Sequence, residues 1–236
     1  MKKLKIASTV SLTLALLFTT QGSLVEAQIK NKGKQNDFVR SFDVRSLKYT
    51  ETTDKNGNKV IKIEEPEKFA QQMGFKKPHP NAVVGAVTIV ESPEQKSFGN
   101  VSPLSGHRDP YVQVTRVYNT CGSDKIASTS KRGNGKPLEL IVSQEEQAQY
   151  STNVNINANI VSAGVGFNVT SAFKISSKET YDTKNDGLMY VIDAYSKNNS
   201  KDFDVYEWSS IFYKHRKTGE GKAHKPIGAC FASWYY

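Results

Sequence analysis

From Gln147 to Phe173 the chain carries no Lys, Arg, Asp or Glu, although 23% of all its residues are charged. Within that stretch apolar and polar side chains alternate. Val154, Ile156, Ala158 and Ile160 are interleaved with Asn153, Asn155, Asn157 and Asn159, and the alternation resumes with Val165, Phe167, Val169, Phe173 and Ile175. A period of two places successive side chains on opposite sides of a strand, so one face is apolar. The phase shifts once, between Ile160 and Val161. A four-residue turn over 161–164 sets Ile160 opposite Val165, Ala158 opposite Phe167 and Ile156 opposite Val169, which keeps the apolar side chains together. A single strand bulged at 160–161 meets the same pattern. The expectation is a central amphipathic hairpin over 151–175. Its one face, Val154, Ile156, Ile160, Val165, Phe167, Val169, Phe173 and Ile175, meets either a membrane or a protein core.

The remaining sequence reads as β with one helix. Asn56-Gly57 between Leu47–Tyr49 and Val60–Ile63 is a hairpin signal. Pro66 suits a first helical turn, Phe69 and Met73 are four apart, and Gly74 can end the helix. Val83–Val90 is apolar on both faces, as in a central strand. Ser92–Pro110, with three prolines and two glycines, reads as a loop. Strands are expected at Tyr111–Tyr118, Leu138–Val142, Leu188–Tyr195, Phe203–Tyr213 and Ile227–Tyr236. Polar turns are expected over Gly122–Pro137, Lys197–Ser200 and Thr218–Gly221. The fold class that follows is all-β: a single antiparallel β-sandwich or elongated sheet with one short helix and the central hairpin.

The N-terminus supplies the address. Lys2, Lys3 and Lys5 precede an apolar run to about Thr20, and Val25-Glu26-Ala27 has the small-residue pattern of a cleavage site. Residues 1–27 are therefore expected to be a signal peptide, 28–45 a flexible polar arm and 46–236 one β-rich domain of a secreted protein. In an oxidising compartment Cys121 and Cys230 are expected to pair. The whole chain has a formal net charge of +9, and the mature part stays basic. Such a balance favours anionic partners. Lys214, Arg216 and Lys217, with Lys222 and Lys225 across the expected turn at 218–221, form the candidate anionic-surface site. Both tryptophans and many of the tyrosines lie near them.

Catalytic signals are sparse. The four histidines, His79, His107, His215 and His224, have no metal-ligand spacing, and G-x-S-x-G is absent. Neither a metal nor a cofactor is expected, and no nucleic-acid module accompanies the basic residues. A carboxylate pair that sequence does not reveal would make the chain a cryptic secreted hydrolase. The expected role is non-enzymatic: a soluble binder of cell-envelope or other anionic surfaces.

The alternative comes from the central stretch. Its arms match the 9–11 residues with which a tilted strand crosses a bilayer core. Asn, Ser, Thr and Gly suit a watery inner face, and an uncharged apolar face suits lipid. In that pattern residues 151–175 resemble the insertion hairpins of aerolysin-type pore-forming proteins. The resemblance implies a membrane-active protein that assembles as a homo-oligomer.

Overall fold

The computed structural model describes residues 41–42, 46–93 and 107–236. In chain order the elements are β1 (Ser41–Phe42), β2 (Tyr49–Thr53), β3 (Lys59–Ile63), α1 (Pro66–Met73), β4 (Val83–Glu91), β5 (Tyr111–Arg132) and β6 (Leu138–Gln147). They continue with β7 (Gln149–Thr152), α2 (Ala158–Val165), β8 (Ala172–Tyr181), β9 (Met189–Ser209) and β10 (Lys214–Tyr235). The protein is all-β, with antiparallel pairing throughout the described sheets. The main sheet runs β1-β5-β9-β10-β4-β3-β2, with β7 added to β10, and β6 and β8 form a separate pair.

Local signals hold where they were strongest. The Asn56-Gly57 turn joins β2 to β3, with Gly57 at φ 79°. Pro66 opens α1, and Gly74 ends it in the left-handed region at φ 68°. Val83–Val90 becomes β4, held between β10 and β3.

Three strands are far longer than the sequence implied. Gly122–Arg132 continues β5, Lys197–Ser200 lies inside β9, and Thr218–Gly221 lies inside β10. The expected turns at 197–200 and 218–221 do not form, and only Gly133–Pro137 of the expected 122–137 turn region lies outside strand. Partners across the sheet explain why. The fully buried Lys197 ammonium donates to Asn119 Oδ1 at 2.7 Å and pairs with Glu91 at 3.0 Å. A charge so satisfied can sit mid-strand. Register shifts at 217/219 and 226/228 absorb the irregular residues of β10. The single turn between β9 and β10 falls instead at Ser210–Tyr213.

The main sheet is covered on both sides. One face carries α1 and Phe75 over Val87, Ile89, Tyr195 and Trp234. Phe42 joins this cluster, edge-on to Phe69 at 5.1 Å, so the one described pair of the expected 28–45 arm is docked. The rest of that arm and the expected signal peptide lie outside the described residues, as does 94–106 of the expected loop. The other face carries the β6–β8 pair, whose Leu140, Val142 and Ile175 pack on Val90, Ile192 and Phe231. The expected disulfide is present: Cys121 and Cys230 are bonded, with Cα atoms 6.0 Å apart. Their strands flank β9, so regular spacing would hold them roughly 10 Å apart. Gly122–Asp124 oppose a single residue of β9, and this bulge accompanies the closer approach.

Candidate functional site

The alternating stretch lies on the main sheet, but not as a hairpin. β6 and β8 pair from Leu138–Tyr181 to Gln147–Ala172, and Ala148 N–H reaches Ser171 O at 2.9 Å. There the ladder stops. Residues 149–152 turn away to pair with β10, Tyr150 opposite Ala223 and Ser151 opposite Lys222. Residues 158–165 then form α2. The expected hairpin over 151–175, with its turn at 161–164, is therefore overturned, and the structure has two short helices rather than one.

The reason is that the sequence satisfies two periods. Ala158, Val161, Ser162 and Val165 follow helical spacing, and the last three are buried. Asn157 caps the N-terminus, accepting from Asn159 N–H at 2.8 Å. Gly166 ends the helix at φ 76°. Ser162 Oγ donates to Ala158 O at 2.7 Å and accepts from Val169 N–H at 3.1 Å. Lys201 Nζ donates to Val165 O at 2.7 Å, covering the helix C-terminus. Intrinsic propensity does not explain α2: eight residues containing Ile160, Val161, Gly164 and Val165 make a poor isolated helix. Tertiary fit does. A Cβ on Gly164 would lie 2.5 Å from Val112 Cβ and 2.7 Å from Val112 O, so α2 approaches β5 as only glycine allows.

The expected single-sided face survives this change of backbone. Val165, Phe167, Val169 and Phe173 are buried against Val112, Phe203, Val205 and Ala223, with Val154, Ile156 and Ile160 packed at the margin. Ile175 belongs to the cluster under the β6–β8 pair.

The five expected basic residues do not form one patch. Without a turn at 218–221 they are strung along β10. Lys214 and Arg216 stand at the tip, with the Arg216 guanidinium 4.3 Å from the Phe212 ring. Lys217 is held by Asp204 at 2.7 Å and Glu220 at 3.6 Å, and these partners raise its pKa. Lys222 opposes β7. Lys225 lies over Phe173, in a cleft of about 590 Å³ that Lys59 and Lys201 also line, between the segment 166–174 and the main sheet. Burial, aided by Lys225, holds the Lys201 ammonium below its usual range.

A buried carboxyl escaped the sequence reading, and one of the four histidines proves half-buried beside a serine. Glu179 on β8 accepts from Thr88 Oγ1 at 3.0 Å, and burial pushes its carboxyl up to about 7. His224 is lowered by burial and lies 2.8 Å from Ser200 Oγ. That serine is fully buried, so the pair offers no nucleophile to a substrate. Among the described residues no group of three or more His, Cys, Asp or Glu is placed to hold a metal ion. Nor is any helix among them long and apolar enough to cross a membrane.

No family model matches the chain, and no curated relative does. Among solved structures it is similar to a candidate pore-forming toxin from Bacteroides vulgatus. The match covers 81% of each chain, with 6% sequence identity and a TM-score of 0.26. At that level neither fold nor function transfers.

Proposed function

We propose that this protein is membrane-active and of pore-forming type, and that residues 148–171 leave the main sheet to complete the β6–β8 hairpin within a bilayer. One observation carries the reading: the register at which that ladder stops. Continued without a slip from Gln147–Ala172, it sets Tyr150 opposite Val169, Val154 opposite Val165 and Ile156 opposite Ala163, turning at Asn159–Ile160. One face then carries Ala148, Tyr150, Val154, Ile156, Ala158, Val161, Ala163, Val165, Phe167 and Val169, together with the small hydroxyl side chains of Thr152 and Ser171. The other carries Gln149, Ser151, Asn153, Asn155, Asn157, Ser162, Gly164, Gly166, Asn168 and Thr170, with Asn159 and the apolar Ile160 at the turn and no charge on either face. Each arm has about 12 residues, or about 40 Å of strand, enough to cross a bilayer core when tilted.

Lipid offers no partner to backbone N–H and C=O groups, so such hairpins must close into a ring and several copies must contribute. The storage geometry fits a reversible hold. The stretch carries a strand pattern yet is kept as a short helix of poor propensity, the conflict between local and global preference that marks a functional element. The Cys121–Cys230 bond joins β5 to β10 outside the stretch, so the main sheet stays braced while the stretch moves.

The test is dye leakage from liposomes with Ser151→Cys/Lys222→Cys, two exposed residues opposed in β7 and β10. Leakage by the wild type, blocked in the oxidised variant and restored by mild reductant that spares the buried native bond, is expected. Equal leakage with the clamp closed, or none from wild type across lipid compositions, rejects the proposal. In the latter case the soluble binder is the reading that remains.

A further inference from the structure

The β9–β10 turn exposes apolar side chains to water. Ile211 and Tyr213 are 80% exposed and Phe212 52%. Hairpin turns of soluble proteins favour Gly, Asn and Asp, whereas here Tyr213 itself takes a positive φ of 49°. Behind the turn lies an aromatic face. Tyr111 and Tyr206 stack at 5.0 Å, and His215 meets the edges of Tyr111 at 5.0 Å and Trp208 at 5.3 Å. The Arg108 guanidinium lies 5.6 Å from the Trp208 ring. From Trp208 to Gly219 the chain holds Lys214, Arg216 and Lys217 and no carboxylate.

We propose that this tip is the docking surface for an anionic phospholipid bilayer, an inference that rests on the membrane-active reading and gives it a point of contact. Ile211, Phe212 and Tyr213 would enter the head-group zone, where Tyr and Trp are favoured. Lys214 and Arg216 would meet lipid phosphates, with Arg216 kept beside Phe212 by its ring contact. The placement also links docking to the stored stretch. Val112 and Val205 are opposed in the sheet and pack under α2, while their neighbours Tyr111 and Tyr206 belong to the aromatic face. At strand rise, Val205 is roughly 20 Å from the turn, so a docked tip brings α2 close to the membrane.

Flotation with phosphatidylcholine vesicles, with and without phosphatidylglycerol, tests this directly. Trp208 serves as reporter, because Trp234 is buried in the sheet. Wild type should float with the anionic vesicles and shift Trp208 emission to shorter wavelength. Phe212→Ser/Tyr213→Asn should weaken binding at least about tenfold, and Lys214→Glu/Arg216→Glu should remove the preference for phosphatidylglycerol. Both should unfold like wild type, since the altered side chains are exposed. Binding by both variants equal to wild type overturns the proposal. So does wild-type binding that requires an added glycolipid or a membrane protein. The oxidised Ser151→Cys/Lys222→Cys variant separates the two readings. If it floats but wild type never leaks, docking stands and the pore reading falls; if tip variants leak like wild type, docking falls alone.

Discussion

Gly164 faces opposite demands in the two states proposed for the 148–171 stretch, and Gly164→Val exploits that. In α2 a Cβ would sit 2.5 Å from Val112 Cβ and 2.7 Å from Val112 O. Rotation about the Cα–Cβ bond moves only the Val112 methyl groups; its Cβ and carbonyl are fixed by the β5 backbone and cannot yield. Overpacking of this kind costs about 1–3 kcal/mol, and valine's two further methyl groups favour the upper end. Helix propensity returns only about 0.4 kcal/mol, because valine is itself a poor helix former. The net loss for docked α2 is therefore about 2 kcal/mol. In the completed hairpin Gly164 opposes Asn155 on the polar face, where valine is well suited to a strand. Opening of α2 should become up to about 30-fold more frequent, since 1.4 kcal/mol is a factor of ten. Hydrogen exchange should show lost protection over 158–165 with β9 and β10 unchanged, and liposome leakage should accelerate. A variant whose α2 stays as protected as wild type would refute the packing argument. Lost protection without faster leakage would refute the link between release and activity.

Three other outcomes are expected. Burial raises the folded pKa of Glu179 to about 7, so the folded state holds a proton that the unfolded state releases at lower pH. Its contribution is full below about pH 4.5 and is lost as pH rises to about 7, by up to about 3 kcal/mol; Glu179→Gln should flatten that slope in urea melts. Lys197→Met should destabilise by about 3 kcal/mol by stranding Glu91, which is partly exposed, and adding Glu91→Gln should recover much of the loss. Asn157→Asp keeps a competent cap on α2 and should leave the melting temperature unchanged. In planar bilayers it should shift the reversal potential towards cations, and an unmoved potential would place residue 157 outside the lumen.

The strands that build the main sheet show why polar runs mislead a sequence reading. Lys197-Asn198-Asn199-Ser200 looks like a turn because nothing nearby in sequence can satisfy it. Its partners come from elsewhere: Glu91 from β4, Asn119 from β5 and His224 from β10. The basic residues of β10 were dispersed for the same reason, since continuity through Gly219 and Gly221 turns an expected cluster into a row.

What the sequence determined alone were features whose cause is local. Asn56-Gly57 can hold a left-handed turn, Pro66 and Gly74 bound a helix, and the two cysteines of the chain pair. Charge-free alternation likewise required that Val165, Phe167, Val169 and Phe173 share a buried side. The tertiary structure decided what local energies leave nearly balanced. Residues 158–165 satisfy both the strand and the helix period, and the helix wins in this state because Gly164 lets α2 close onto Val112 while Lys201 covers its last carbonyl. The length of β5, β9 and β10 was likewise decided by distant partners, because a mid-strand lysine is tolerated only where folding delivers the carboxylate and amide that satisfy it.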